Sequence, residues 1–210
     1  MKNVRVFFSK KGRLRFVSHL DMNRFFTRVL RKSGLPIWYT EGFNPHPYLT
    51  FALPLSLGFE SIYEVLDFRL IEDDFPLEEV KNKLSAVLPE YVEIIKVSEP
   101  VMKAGKITAA GFSLCFENEK AATEFAAFLA TGNVVITKKT KKGDIKVEEV
   151  SEKIISVKRS NNEVCLVLPA GNDNLNPSLL VSAFNQKQGR EYSVGYTRTA
   201  LYGQSNLLFE

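Results

Sequence analysis

His19 and His46 are the only imidazoles of this 210-residue chain, and each sits in a stretch whose residue types suit recognition chemistry. His46 lies in "EGFNPHP" (41–47), between Pro45 and Pro47. Each proline fixes its own φ, lacks a backbone donor and pushes the preceding residue into extended geometry, so Asn44 and His46 are expected on a stiff arch. Such an arch has little conformational freedom left to lose when something binds. A displayed imidazole there can donate to a phosphate, stack on a base, or take and return a proton. The plainer alternative is a structural loop whose histidine bonds a neighbouring carbonyl. Gly42, Phe43, Asn44 and His46 are therefore candidate site residues, with Tyr48 or Trp38 as a stacking platform.

His19 lies in "RLRFVSHLD" (13–21), at the start of the clearest helix in the chain. Ser18 and Asp21 are spaced to cap it, the hydroxyl serving an orphan amide and the carboxylate meeting the positive helix end. Met22, Phe25, Phe26, Val29 and Leu30 repeat at helical spacing as one apolar stripe, and Gly34 closes the helix. The opposite side carries Asn23, Arg24, Thr27, Arg28, Arg31 and Lys32. Together with Arg13 and Arg15, these place cations beside amides that attract anionic groups, so bound phosphate is the expectation. Charge supports it: the net +4 divides into +8 over the first fifty residues and −4 over the rest. Positive potential gathered in this way favours a polyanion such as RNA, or an acidic protein face. The reading requires these cations and the stiffened histidine to converge on one patch.

Other chemistry has no visible home. No glycine-rich phosphate loop, nucleophile elbow or clustered metal ligands occur, so no cofactor and no metal site is expected. Cys115 and Cys165 lie inside apolar runs and read as buried thiols. No run of eighteen apolar residues and no signal-like start is present, which gives the expectation of a cytoplasmic protein. Residues 138–144, "KKTKKGD", read as a basic hairpin tip. Tyr192, Tyr196, Arg198 and Tyr202 alternate, which would place them on one face of the last strand, with Arg198 a further candidate contact.

The elements that must position these residues run strand (4–8), helix, strands (35–40, 48–61, 63–71), helix (76–88) and strand (91–99). A linker at 100–106 follows. This β-α-β-β-α-β order is the split βαβ pattern. The second half repeats it with an added hairpin, capped at its first helix by Asn118. The expected fold is α+β, two tandem ferredoxin-like sandwiches over 1–100 and 106–210, the second elaborated by the hairpin.

Several of these motifs carry a resemblance. "GRLRFVSHLD", "GFNPHP" and "PLSLGFES" stand in order, and "YTRTALY" lies near the end. In these the chain resembles the radical-SAM-linked domain family of unknown function, strongly over the first 70 residues and loosely from 100 to 190. The resemblance implies a domain that is fused to a radical-SAM protein or encoded alone beside one, often near genes for ribosomal proteins and a ribonuclease E/G-type enzyme. This chain looks like the stand-alone form. It lacks the three-cysteine motif that holds a cluster, so radical chemistry would belong to a partner.

The leading expectation is a non-enzymatic binding module that presents RNA or a ribonucleoprotein, such as a ribosomal component, to a radical-SAM partner. Arg13, Arg15, Arg24, Arg28 and Arg31 would contact phosphates, while Ser18, His19, Asp21 and the 42–47 arch shape the site. Two alternatives stand beside it: a metal-independent RNA-processing enzyme using His46 and His19, and a protein adaptor docking on the radical-SAM protein.

Overall fold

Alternation along the first strand decides which face is core. In a computed structural model describing residues 1–139 and 143–210, the chain is mixed α+β and divides into two compact units. Unit 1 comprises Met1–Ile107 with Phe209–Glu210, and unit 2 comprises Thr108–Leu208. Unit 1 runs β1 (Lys2–Lys10), α1 (His19–Lys32), β2 (Leu49–Phe51), β3 (Phe59–Leu70), α2 (Leu77–Ser85) and β4 (Ile94–Ser98). Its strands lie in the order β4-β1-β3-β2, every neighbour antiparallel. The register pairs Val4 with Phe68 and Val6 with Leu66, and these side chains form one core with Met22, Phe26, Val29 and Leu30 of α1 and Val80 and Leu84 of α2. Each fully buried side chain of this size contributes roughly 1.5–3 kcal/mol.

The spacing read as the apolar stripe is the buried side of α1, and Ser18 is its N-cap. Gly34 follows the helix at φ +66°, a left-handed turn that suits a residue without Cβ.

Unit 2 runs β5 (Ala109–Phe116), α3 (Glu119–Leu129), β6 (Val135–Lys139), β7 (Ile145–Glu149), β8 (Ser156–Ser160), β9 (Glu163–Pro169), α4 (Pro177–Gln188) and β10 (Val194–Tyr202). Its main sheet has the order β10-β5-β9-β8, and among the described residues β6 pairs with β7 alone, as a separate hairpin. Asn118 caps α3 by accepting from Ala121 N at 2.9 Å. Phe125 stands at the centre of an aromatic cluster, with ring centroids 5.0 Å from Phe116 and 5.4 Å from Phe184. The basic tip read at 138–144 falls partly outside the described residues; within them, Lys138 pairs with Glu148 at 3.6 Å.

Two expectations for unit 2 are corrected. Cys115 and Cys165 are exposed, not buried. Phe112, Leu114 and Phe116 face the helices, so the cysteines, at the alternate positions of their strands, face the other way. Tyr202 also parts from Tyr196 and Arg198. A register shift between Arg198 and Ala200 inserts one residue, and a bulge of that kind reverses which face each later side chain occupies.

Candidate functional site

The face of the unit 1 sheet turned away from α1 and α2 is charged at one end and apolar at the other, where Phe7 pairs with Val65 and both are buried. Asn3 and Arg5 alternate with the core valines of β1, and the register sets them opposite Arg69 and Asp67. Arg5 is fully buried, and its Nε and Nη2 donate to the two oxygens of Asp67 at 2.8 and 2.7 Å. This bidentate arrangement matches guanidinium to carboxylate geometry and holds both planes fixed. The Arg5 guanidinium also lies 4.4 Å from the ring centre of Phe209, a buried side chain whose carbonyl accepts from the Tyr63 hydroxyl at 3.0 Å. Its Nη1 finds no hydrogen-bond partner among the described residues. Beside this pair lies a cavity of about 620 Å³, floored by Asn3, Arg5, Thr50, Asp67 and Arg69 and walled by the segment 99–104.

The histidine arch rises next to that cavity. Trp38 N donates to Arg69 O at 2.9 Å, Tyr48 N to Trp38 O at 3.3 Å, and Thr40 N to His46 O at 2.9 Å, so residues 38–48 form a narrow ladder with 41–46 at its tip. Gly42 sits at φ +115°, a conformation that side-chain-bearing residues rarely adopt. Phe43, Asn44 and His46 are exposed, as an arch built on Pro45 and Pro47 requires. His46 Nδ1 stands 3.0 Å from Asn44 O and 3.1 Å from Thr40 Oγ1. A proton on Nδ1 serving the Asn44 carbonyl leaves Nε2 for a ligand. At the base of the arch the Arg69 guanidinium lies 4.5 Å from the Tyr48 ring centre and 5.5 Å from that of Trp38. One Tyr48 face is therefore already occupied by a cation.

The basic helix stands on the other side of the sheet. Ser18 Oγ accepts from Asp21 N at 3.1 Å and donates to Asp21 Oδ2 at 2.7 Å, while Arg24 Nη1 donates to Asp21 Oδ1 at 3.2 Å. The Ser18 hydroxyl first, and then Arg24, hold the Asp21 carboxyl below the ordinary carboxylate range. Arg15 pairs with Glu60 at 3.8 Å, and Gly12 N donates to the same carboxylate at 3.0 Å. Arg13, Arg28 and Arg31 are exposed and form no ion pair among the described residues. His19 meets Phe51 edge-on at 5.2 Å and borders a water-sized void of about 10 Å³. Lys10 and Glu64, both buried, border the same void, and Lys10 Nζ donates to Val17 O at 3.0 Å.

The residues singled out from sequence thus separate: the helix cations and His46 do not converge on one patch as expected, and only the group on and before α1 can act as one surface. Arg13, Arg15, Ser18, His19, Asp21, Arg24, Arg28 and Arg31 follow one another through a short 3₁₀ turn into α1. Leu49 and Phe51 pack against the helix-side core, so Tyr48, at the alternate position, lies on the cavity side with Arg69. Arg198 is 1% exposed within unit 2, which removes it from any surface that meets phosphate. Sequence reading missed Arg5, Asp67 and Arg69. Their only sequence signal is alternation, a polar or charged residue at every second position of "NVR" and "DFR" between apolar residues, and it gives no indication that the two strands pair.

The model of one protein family, described as "Uncharacterized protein conserved in bacteria (DUF2344)", matches residues 3–178. Among curated proteins none matches the chain.

Proposed function

The chain belongs to this family of uncharacterized bacterial proteins, and on that premise we propose that it is a binding protein without catalysis of its own, which holds RNA or a ribonucleoprotein on α1 and presents it to a radical-SAM partner. The observation that carries the reading is the display of Arg24, Arg28 and Arg31 on a helix whose other side, Phe26, Val29 and Leu30, is locked in the core. Guanidinium groups on a rigid scaffold meet phosphates with less ordering cost than groups on a mobile tail. Exposed Phe16, with the Arg15 guanidinium 4.8 Å from its ring centre, adds a surface on which an unpaired base can stack. The strand order repeated in both units supports reading them as tandem ferredoxin-like sandwiches. Radical chemistry in this proposal belongs to the partner.

The test is filter binding of transfer RNA and ribosomal RNA fragments across a salt series. Neutralising three phosphates predicts a slope of log K against log salt of about −2 to −3. Arg28→Glu/Arg31→Glu should remove most of the affinity while the thermal midpoint stays put, since both side chains are exposed. Absence of RNA retention at low salt would overturn the RNA reading. A radical-SAM protein that co-purifies after nuclease treatment, in the absence of RNA binding, would instead favour docking on an acidic protein face.

A further inference from the structure

The cavity on the second face of the unit 1 sheet plays no part in the RNA reading, and its chemistry is distinct. We propose that it is a binding site for a small phosphomonoester whose organic part is about the size of a nucleoside, with the phosphate held by Arg69 and Lys103.

Charge sets the phosphate. The three carboxylates that line the cavity are each matched inside unit 1: Asp67 by Arg5 at 2.7 Å, Glu99 by Lys2 at 3.4 Å, and Asp73 by the amino terminus. Two lining cations, Arg69 and Lys103, have no carboxylate partner among the described residues. A phosphomonoester near its second ionisation carries close to two negative charges at neutral pH and matches both, whereas a single carboxylate leaves one cation unanswered. Arg69 is prepared for the role. Its Nε donates to Asn3 Oδ1 at 3.2 Å and its plane rests on Tyr48 and Trp38, so the side chain is already ordered and its two terminal nitrogens are left to grip an anion as a fork.

Volume sets the organic part. About 620 Å³ lies within the range of small-molecule sites and greatly exceeds what one phosphate fills. The wall supplied by Pro100, Val101 and Met102 is apolar, and the floor opposite offers the Thr50 hydroxyl and the Asn3 amide. An apolar wall over a hydrogen-bonding floor fits a flat, polar-edged group such as a nucleobase. The Arg5–Asp67 pair is a positioning element: buried and bidentate, it keeps the floor rigid beneath the ligand.

The test is isothermal titration of the full chain with adenosine 5′-monophosphate, the other three ribonucleoside monophosphates, ribose 5-phosphate, adenosine and succinate. At least one nucleoside monophosphate should bind at submillimolar concentration, with adenosine and succinate at least tenfold weaker. Arg69→Gln should weaken that binding at least tenfold, and Lys103→Ala several-fold. Lys103 is exposed on the wall segment, so its variant answers the question even if Arg69→Gln lowers the thermal midpoint. Arg28→Glu/Arg31→Glu should leave nucleotide binding unchanged, which separates failure of this proposal from failure of the RNA reading. The proposal is overturned if no phosphomonoester in the set binds, if adenosine or succinate binds as well as the nucleotides, or if neither cavity variant alters the affinity.

Discussion

Units 1 and 2 lay four antiparallel strands in one shared order, yet they use the face away from the helices in opposite ways. In unit 1 that face carries Asn3, Arg5, Asp67 and Arg69, with Phe209 resting on Arg5 and the 99–104 segment beside it. In unit 2 the central strands β5 and β10 present Ser113, Cys115, Gly195 and Thr197, small side chains without charge, and among the described residues charge enters that face only beside them, at Glu163 of β9 and Lys158 of β8. The helix-facing layers are alike in kind, phenylalanine on aliphatic in both. A strand has two sides with separate obligations. One must exclude water for the sheet to exist, and the other is open to specialisation.

Loss of one ring from each core should have the largest effect. Phe26→Ala in unit 1 and Phe125→Ala in unit 2 should each cost about 4 kcal/mol, read by urea unfolding. A much smaller loss in either would mean that the two helix-facing layers are not equivalent. The second faces should then diverge. Asp67→Ala strands the buried Arg5 charge and is expected to cost about 3 kcal/mol, at the low end of its class because Asp67 is 23% exposed. The double replacement Arg5→Met/Asp67→Leu should recover most of that loss, since neither charge is then left alone. Ser18→Ala and Asn118→Ala remove one cap from each unit and should cost about 1 kcal/mol apiece.

A smaller effect belongs to unit 2 alone. Burial first, and Glu191 second, push the Tyr196 phenol from 10.0 up to about 12. The folded state favours the neutral phenol, so this contribution is complete below pH 10 and fades as pH climbs from 10 towards 12. Burial first, and Glu124 second, also push the Tyr192 phenol up, so phenolate absorbance should show late-titrating tyrosines, and Tyr196→Phe should remove the part that titrates towards pH 12. The smallest perturbation is native-state alkylation. Both cysteines should take iodoacetamide without denaturant, seen as two mass additions, and a single addition would contradict the exposure of both thiols on that face.

Much of the fold was legible because it rests on local signals. The Ser18 and Asp21 pair, the stripe from Met22 to Leu30 and Gly34 announce α1 from its own residues. Asn118 announces α3, and Asn161 turns the chain between β8 and β9 at φ +51°, a conformation that asparagine tolerates. The candidate site was legible only in part. Exposure of His46 follows from two prolines in the sequence, whereas the pairing of Arg5 with Asp67 depends on partners 62 residues apart. No periodicity within either strand encodes that register. The cysteines misled because "GFSLCFE" and "EVCLVLP" read as continuously apolar, when only alternate positions of each strand face the core. The bulge after Arg198 is invisible for the same reason: it is a property of the pairing rather than of the strand.

Strand β8 ends the unit 2 order, and among the described residues no further strand pairs with its outer row of backbone groups, a template on which a foreign strand can grow. Lys158 and Arg159 stand exposed on that strand, and Arg159 is tethered to Glu119 at 3.1 Å. Fixed positive charge at such a margin repels a second copy of itself, so the protein should resist aggregation at concentrations where Lys158→Val/Arg159→Val turns cloudy.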